Sequence, residues 1–126
     1  MGKFVIRETK TGVKFDLKAS NGEVIGTSEV YSSIAACKNG IESVKKNAEV
    51  AKEKIEDQTE ENYEKITNPK FEMYTDKGGE FRFRLNARNG ENILASEGYK
   101  SKASCKNGIN SVIKNAPDAP VTEEKE

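Results

Sequence analysis

The chain has 126 residues, 33% of them charged and 34% hydrophobic, with a formal net charge of zero and neither histidine nor tryptophan. That is one domain with a single core and a solvated remainder. It excludes a membrane span, because no apolar run approaches about 18 residues, and it excludes histidine-based general bases, nucleophile–histidine pairs and histidine metal sites.

Residues 4–7 read as a short strand and residues 9–12 as a turn. The start is too poor in apolar residues for a secretory signal, and Ile6 stands where a myristoylation signal needs Ser or Thr. A cytoplasmic location is the expectation. Clean alternation follows, with Val13, Phe15, Leu17 and Ala19 on one face and Lys14, Asp16 and Lys18 on the other. This is the period of a half-buried antiparallel strand. Asn21-Gly22 then closes a hairpin. A two-residue loop would turn Ile25 outward, whereas a three-residue bulged loop places it inward, opposite Leu17. The position of Val24 is Asn92 in a second copy of the segment, while Ile25 recurs as Ile93. An asparagine suits the solvated side, so the bulged loop is expected.

Ser33 is a plausible N-cap. Cys37, Ile41, Val44 and Ala48 form an apolar helical stripe behind it. Gly40 lies inside this helix at a cost of about 1 kcal/mol relative to Ala, for which close approach of the helix backbone to the sheet is the expected compensation. Lys45 and Lys46, with Lys114 in the second copy, suit the negative end of a helix dipole. Residues 50–55 are expected to form a short strand, and residues 56–69 an acidic connector with a helical turn around Tyr63 and Ile66.

The second half repeats the first. Residues 89–116 match residues 21–48 at 19 of 28 positions. Upstream, Phe81, Phe83, Leu85 and Ala87 alternate with Arg82, Arg84, Asn86 and Arg88, after a strand at 71–74 and a turn at 76–79. Ser101 is the second N-cap, and Cys105, Ile109, Val112 and Ala116 form the second stripe. Val121 begins the counterpart of the last strand. Charge is segregated along the chain: residues 1–48 sum to +3, 49–69 to −4, 70–116 to +4 and 117–126 to −3. The simplest consequence is that acidic segments screen basic faces of the same molecule. The alternative is a basic surface for an anionic partner.

The residues Phe81–Leu85, Asn89-Gly90-Glu91, Ser96-Glu97-Gly98-Tyr99 and Ser104–Ile109, with a looser copy in the first half, resemble the YegP-like family of small bacterial proteins of unknown function. The resemblance covers nearly all of residues 3–122. It implies an α+β fold of two tandem β3-α-β repeats merged into a single, mainly antiparallel sheet. It further implies two helices on one face, a pseudo-two-fold axis, and exchange of the C-terminal strands between the repeats. Single-repeat relatives would form the same assembly as dimers. The expected organisation is one domain over 1–126, with repeat 1 at 3–56, the connector at 57–69, repeat 2 at 70–122 and a disordered acidic tail at 123–126. Exchange closes sheet edges that a unit of about 45 residues would leave open, and tethering makes the pairing intramolecular. The first copy departs from the pattern at Thr11, Val13 and Val30. No catalytic or binding residue is carried over from the family.

Candidate chemistry is sparse. Two thiolates alone cannot close a zinc site, so Cys37 and Cys105 are expected to be small core residues; the alternatives are a reactive thiol or a disulfide between the helices, which a cytoplasmic location disfavours. Glu29 with Tyr31, and Glu97 with Tyr99, recur before each helix. They form either a symmetric pair of polar sites or a structural arrangement in which the Glu accepts helix N-terminal amides and the Tyr covers the sheet end. Asn39 and Asn107 are expected on the solvated flank of each helix, bonding a neighbouring loop. Lys77-Gly78-Gly79-Glu80 lacks the Lys-Ser/Thr of a phosphate loop. Lys14, Lys18, Arg82, Arg84 and Arg88 project away from the apolar face, a speculative surface for an anionic partner. RNA-recognition sheets stack bases on exposed aromatics; here alternation buries the aromatics, Tyr74 being the candidate exception, so only weak, salt-sensitive binding is expected. The reading is a non-enzymatic structural or interaction module, monomeric, with no cofactor, no metal and an unidentified partner. The alternative is a weak nucleic-acid-associated accessory protein.

Overall fold

The computed structural model describes residues 2–124. The first half runs β1 (Lys3–Thr9), β2 (Gly12–Lys18), β3 (Val24–Thr27), α1 (Ile34–Val50) and β4 (Ile55–Asp57). The second runs β5 (Lys70–Thr75), β6 (Phe81–Asn86), β7 (Asn92–Ala95), α2 (Lys102–Asn115) and β8 (Val121–Glu124). All eight strands join one mixed sheet in the order β4-β5-β6-β7-β3-β2-β1-β8. The seam between halves is antiparallel pairing of β3 with β7 at Thr27 and Ala95. At the flanks, β4 runs parallel to β5 and β8 runs parallel to β1. Strand β8 of the second half therefore edges the sheet beside the first.

Alternation dictates which face is covered. Phe4, Phe15, Leu17, Phe71, Phe83 and Leu85 are fully buried and share one cluster with Cys37, Ile41, Val44, Cys105, Ile109 and Val112 of the helices. Both helices thus pack on the same side. Phe15 meets Phe4 edge-on, and Phe83 meets Phe71 in the same way, a geometry aromatic rings favour over a face-to-face sandwich.

The Asn-Gly hairpins adopt the three-residue bulged form. The Ala19 amide donates to the Glu23 carbonyl at 2.8 Å and the Gly22 amide to the Ala19 carbonyl at 2.9 Å, with Gly22 at φ +85°. Gly90 repeats this at φ +88°. Ile25 and Ile93 are buried, as the bulged loop requires. The register differs in one respect: a further bulge between Leu17 and Lys18 makes Gly26, not Ile25, the partner of Leu17, and in the second half Leu94 is the partner of Leu85. Two residues oppose one at such a bulge, which lets both Ile93 and Leu94 enter the core.

Helix α1 is longer than its stripe suggested. It continues through Val50, so the strand expected at 50–55 begins only at Ile55. Nothing in residues 48–51 breaks a helix, and Ala51, fully buried, extends the apolar stripe by one turn. Lys45 and Lys46 consequently lie before the last turn rather than in it; Lys45 sits 5.8 Å from the Phe4 ring centre. Lys114 does occupy the last turn of α2. Residues 58–69 contain turns but no helix, contrary to the turn expected at Tyr63 and Ile66. Of the expected disordered tail, 123 and 124 belong to β8, where they pair with Ile6 and Arg7; 125 and 126 lie outside the described residues.

Candidate functional site

The uncovered sheet face is not a uniformly basic surface. Arg84 lies opposite Glu72 in the β5–β6 register and its Nε is 2.5 Å from Glu72 Oε1. The same guanidinium lies over the Tyr74 ring at 4.6 Å, so one face of Tyr74 is already occupied. Arg82 Nε is 2.6 Å from Asp76 Oδ2, and Arg7 Nε is 2.9 Å from Asp16 Oδ2. Lys70 bridges Glu56 at 2.5 Å and Glu72 at 3.2 Å. Burial alone would raise the Glu56 carboxyl, but the Ile66 amide, the Lys70 ammonium and the Gln58 amide bring it down to about 2. Glu72 is also lowered, burial being outweighed by Arg84 and Lys70. Lys102, at the start of α2, reaches Asp57 at 2.6 Å and Glu60 at 2.7 Å. The acidic connector thus screens basic residues of the second half. Lys14 and Lys18 have no ion pair among the described residues, but both are half-buried. Arg88 departs from the expected face: it lies beyond the end of β6, in the loop beside α1.

The recurrent Ser-Glu-x-Tyr segments make the same structural bonds in both halves. Ser28 Oγ accepts the Phe15 amide at 2.9 Å and donates to the Glu29 carbonyl at 2.7 Å; Ser96 does the same with Phe83 and Glu97. Each hydroxyl splices the chain to the strand where β3 or β7 ends. Tyr31 then exchanges two backbone bonds with Val13, and Tyr99 with Phe81. Their rings stack on Phe15 and Phe83 and reach over the helix glycines. A Cβ on Gly40 would come 2.6 Å from Tyr31 Cζ, and one on Gly108 would come 2.8 Å from Tyr99 Cζ. The glycines therefore admit a tyrosine ring, where approach of the sheet backbone was expected. The helix amides are capped by Ser33 and Ser101, which accept from Ala36 and Ser104 at 3.1 Å. Glu29 and Glu97 are exposed and do not take the capping role expected of them. Burial raises the Tyr31 hydroxyl, with Cys37, Glu29 and then Glu91 of the other half adding to it; Tyr99 is raised in the same order by burial, Cys105, Glu97 and Glu23. Cys37 and Cys105 are fully buried, and burial pushes both thiols up to about 11.

Two of the grooves among the described residues occupy corresponding positions in the two halves. Each runs between one helix and the Asn-Gly hairpin of the other half. The α1 groove, about 670 Å³, is lined on the helix by Asn39, Glu42, Ser43, Lys46 and Val50, and on the far wall by Pro69, Ala87, Arg88 and Asn89. The α2 groove, about 590 Å³, has Asn107, Asn110, Ser111, Lys114 and Asp118 facing Ala19, Ser20 and Asn21. Asn39 and Asn107 are exposed, as expected, but each faces a groove and neither bonds a loop among the described residues. The α1 groove gathers Lys46, Lys54 and Arg88, none of them in an ion pair among the described residues; Lys54 Nζ has only the neutral Thr67 Oγ1 at 3.4 Å. Among the described residues no three His, Cys, Asp or Glu side chains converge as a metal site.

This chain's halves are also recognisable by comparison. A family model described as a domain of unknown function, DUF1508, matches residues 10–54 and again residues 76–123. The chain belongs to the DUF1508 family. It is similar to the UPF0339 protein YegP of Yersinia pestis, 41% identical over 116 residues, which are 91% of this chain and 88% of that one. A UPF0339 protein of Treponema denticola is 63% identical over 54 residues, 43% of this chain but 93% of its own length, so that relative has about the size of one half. The solution structure of yegP from E. coli, a protein of unknown function, covers 98% of this chain and 92% of its own with a TM-score of 0.78 at 31% identity. No helix is long and apolar enough to cross a membrane among the described residues.

From sequence, Lys46 has only a helix-dipole role and Asn89 only a place in the hairpin motif, and neither Lys54 nor Asn68 is marked; none of the four is read as a groove residue. Glu42, Ser43, Lys46 and Val50 share one helical flank, so a helical projection displays that wall. The opposite wall comes from residues 87–89, and only the three-dimensional arrangement brings them there.

Proposed function

We propose that this DUF1508 chain is a non-catalytic binding module, acting as a monomer in the cytoplasm, and that its working surface is the α1 groove. The observation that carries this reading is the contrast between two sets of cations. Arg7, Lys70, Arg82 and Arg84 on the sheet face are held by carboxylates. Lys46, Lys54 and Arg88 in the groove have no carboxylate partner among the described residues and lie beside carboxamides of Asn39, Asn68 and Asn89. The volume falls in the range of small-ligand sites. A binding role is favoured over catalysis because every displaced titratable group moves away from neutrality: buried thiols and tyrosines upward, paired carboxylates downward. General acid–base groups need the opposite displacement. Grooves completed within one chain support the monomer, and the cytoplasm suits two cysteines held as free thiols.

Nucleic-acid binding along Lys14, Lys18, Arg82 and Arg84 is the competing reading. The carboxylates on both arginines and the arginine over Tyr74 weigh against it. The test compares extract components retained by the wild type, by Asn39→Trp, which fills the groove, and by Lys14→Glu/Lys18→Glu. Loss of the retained component only with Asn39→Trp is expected. Loss only with the sheet-face variant, together with binding of single-stranded RNA, would move the function to the sheet.

A further inference from the structure

We propose that the α1 groove binds a small organic phosphate, of about nucleotide size, and that its α2 counterpart does not. The inference rests on the reading of the α1 groove as the working surface and adds the chemistry of its ligand.

Duplication supplies an internal control. The shared framework of the two grooves is polar: Asn39 and Ser43 correspond to Asn107 and Ser111, Lys46 to Lys114, and Asn89 to Asn21. What differs is charge. Arg88 stands where the α2 groove has Ser20, Val50 where it has Asp118, and Glu42 where it has Asn110. Lys54 has no basic counterpart: its carbonyl accepts the Phe71 amide as the Pro120 carbonyl accepts the Phe4 amide, which makes Pro120 its equivalent. Summed over lining residues, the α1 groove carries Lys46, Lys54 and Arg88 against Glu42, or +2, and the α2 groove carries Lys114 against Asp118, or zero. A net positive concavity whose three cations make no ion pair among the described residues raises the local concentration of anions. Arg88 brings a fork of donors suited to phosphate oxygens, and the two lysines bring point charges. The rest of the lining fits the remainder of such a ligand. Pro69 and Ala87 offer an apolar wall for a ring, with Val50 across from them on the helix, and the carboxamides of Asn39, Asn68 and Asn89 offer both donors and acceptors to a sugar or base edge. A bare inorganic anion would leave that wall unused.

The test is titration of the full-length ¹⁵N-labelled chain with ADP, pyrophosphate and adenosine at about 20 mM salt, where screening is weak. Backbone and carboxamide signals of Asn39, Arg88 and Asn89 are followed against Asn21 and Asn107. ADP is expected to shift the first group saturably with a Kd below about 1 mM; pyrophosphate should bind more weakly and adenosine not at all. Lys46→Gln/Arg88→Gln should weaken ADP binding about tenfold, with the rest of the spectrum unchanged. Absence of saturable shifts with both ADP and pyrophosphate up to about 10 mM overturns the proposal, as do equal shifts in the two grooves, or shifts confined to Lys14 and Lys18. If the phosphates fail while Asn39→Trp still abolishes retention of an extract component, the ligand class is wrong and the groove stands. If Asn39→Trp changes nothing either, both readings fall.

Discussion

Replacing Gly26 by alanine adds a methyl group where Leu94 already is. The two positions are equivalent in the repeat, and they meet at the seam where β3 pairs with β7. A Cβ on Gly26 would lie 2.8 Å from Leu94 Cγ and 3.0 and 3.1 Å from its two methyls, against about 3.5–4.0 Å for comfortable carbon contact. Because Cγ is the branch point of Leu94, rotating a methyl away does not relieve the contact. Leu94 is fully buried, so the surroundings cannot yield freely. Overpacking of this kind costs about 2 kcal/mol. Leu94→Ala alone should cost about 3 kcal/mol through lost burial and the cavity left behind. In the double variant the new methyl occupies part of that cavity. Its cost should be about 3 kcal/mol rather than the additive 5, a coupling of about 2 kcal/mol. Urea unfolding followed by far-ultraviolet circular dichroism, with the three variants and the wild type compared at constant m-value, measures this. Additivity within about 0.5 kcal/mol would refute the seam packing.

Gly40→Ala should destabilise by about 2 kcal/mol despite alanine's better helix propensity, because the Tyr31 ring occupies the space; thermal melting of Gly40→Ala, Tyr31→Ala and the double variant checks this, and the added methyl is expected to cost nothing once the ring is gone. Neither Cys37 nor Cys105 should react with a thiol reagent at pH 8 in the native chain, and both should react at once in denaturant, since both are fully buried with thiols near 11. Glu56, held at about 2 in the folded chain, sits below its ordinary value of 4.5. A carboxylate depressed on folding contributes stability that is complete above the unfolded value and is lost as pH falls toward the folded one. Stability should therefore drop between about pH 5 and pH 2, and the slope should flatten in Glu56→Gln, which itself costs about 3 kcal/mol by leaving Lys70 with Glu72 alone.

Sequence periodicity carried much of this architecture. The stripe Cys37, Ile41, Val44, Ala48 is fully buried because a helix lying on a sheet has one apolar flank. The bulged hairpin was legible because Val24 became Asn92 while Ile25 stayed apolar as Ile93. What escaped was whatever depends on a partner from elsewhere in the chain. Gly26 looks like a weak strand residue until Leu94 arrives from the other half. Arg82 and Arg84 look like free charges on one strand; Glu72 neutralises Arg84 from the neighbouring strand, and Asp76 neutralises Arg82 from the turn. Alignment of residues 70–86 as a hairpin would have placed Glu72 opposite Arg84. Gly40 was read against the sheet backbone, although the tyrosine nine residues earlier fills the gap. The groove was invisible for the same reason as the seam, since its two walls belong to different halves.

The sharing of one sheet by both halves underlies the seam, the grooves and the charge asymmetry between them. Interstrand nuclear Overhauser contacts test it most directly. Cross-peaks between Phe4 and Val121, between Ile55 and Phe71, and between Thr27 and Ala95 are expected from the three pairings. Cross-peaks from Phe4 to Ile55 and from Phe71 to Val121, with none between Thr27 and Ala95, would mean that each half folds back on itself, and would contradict it.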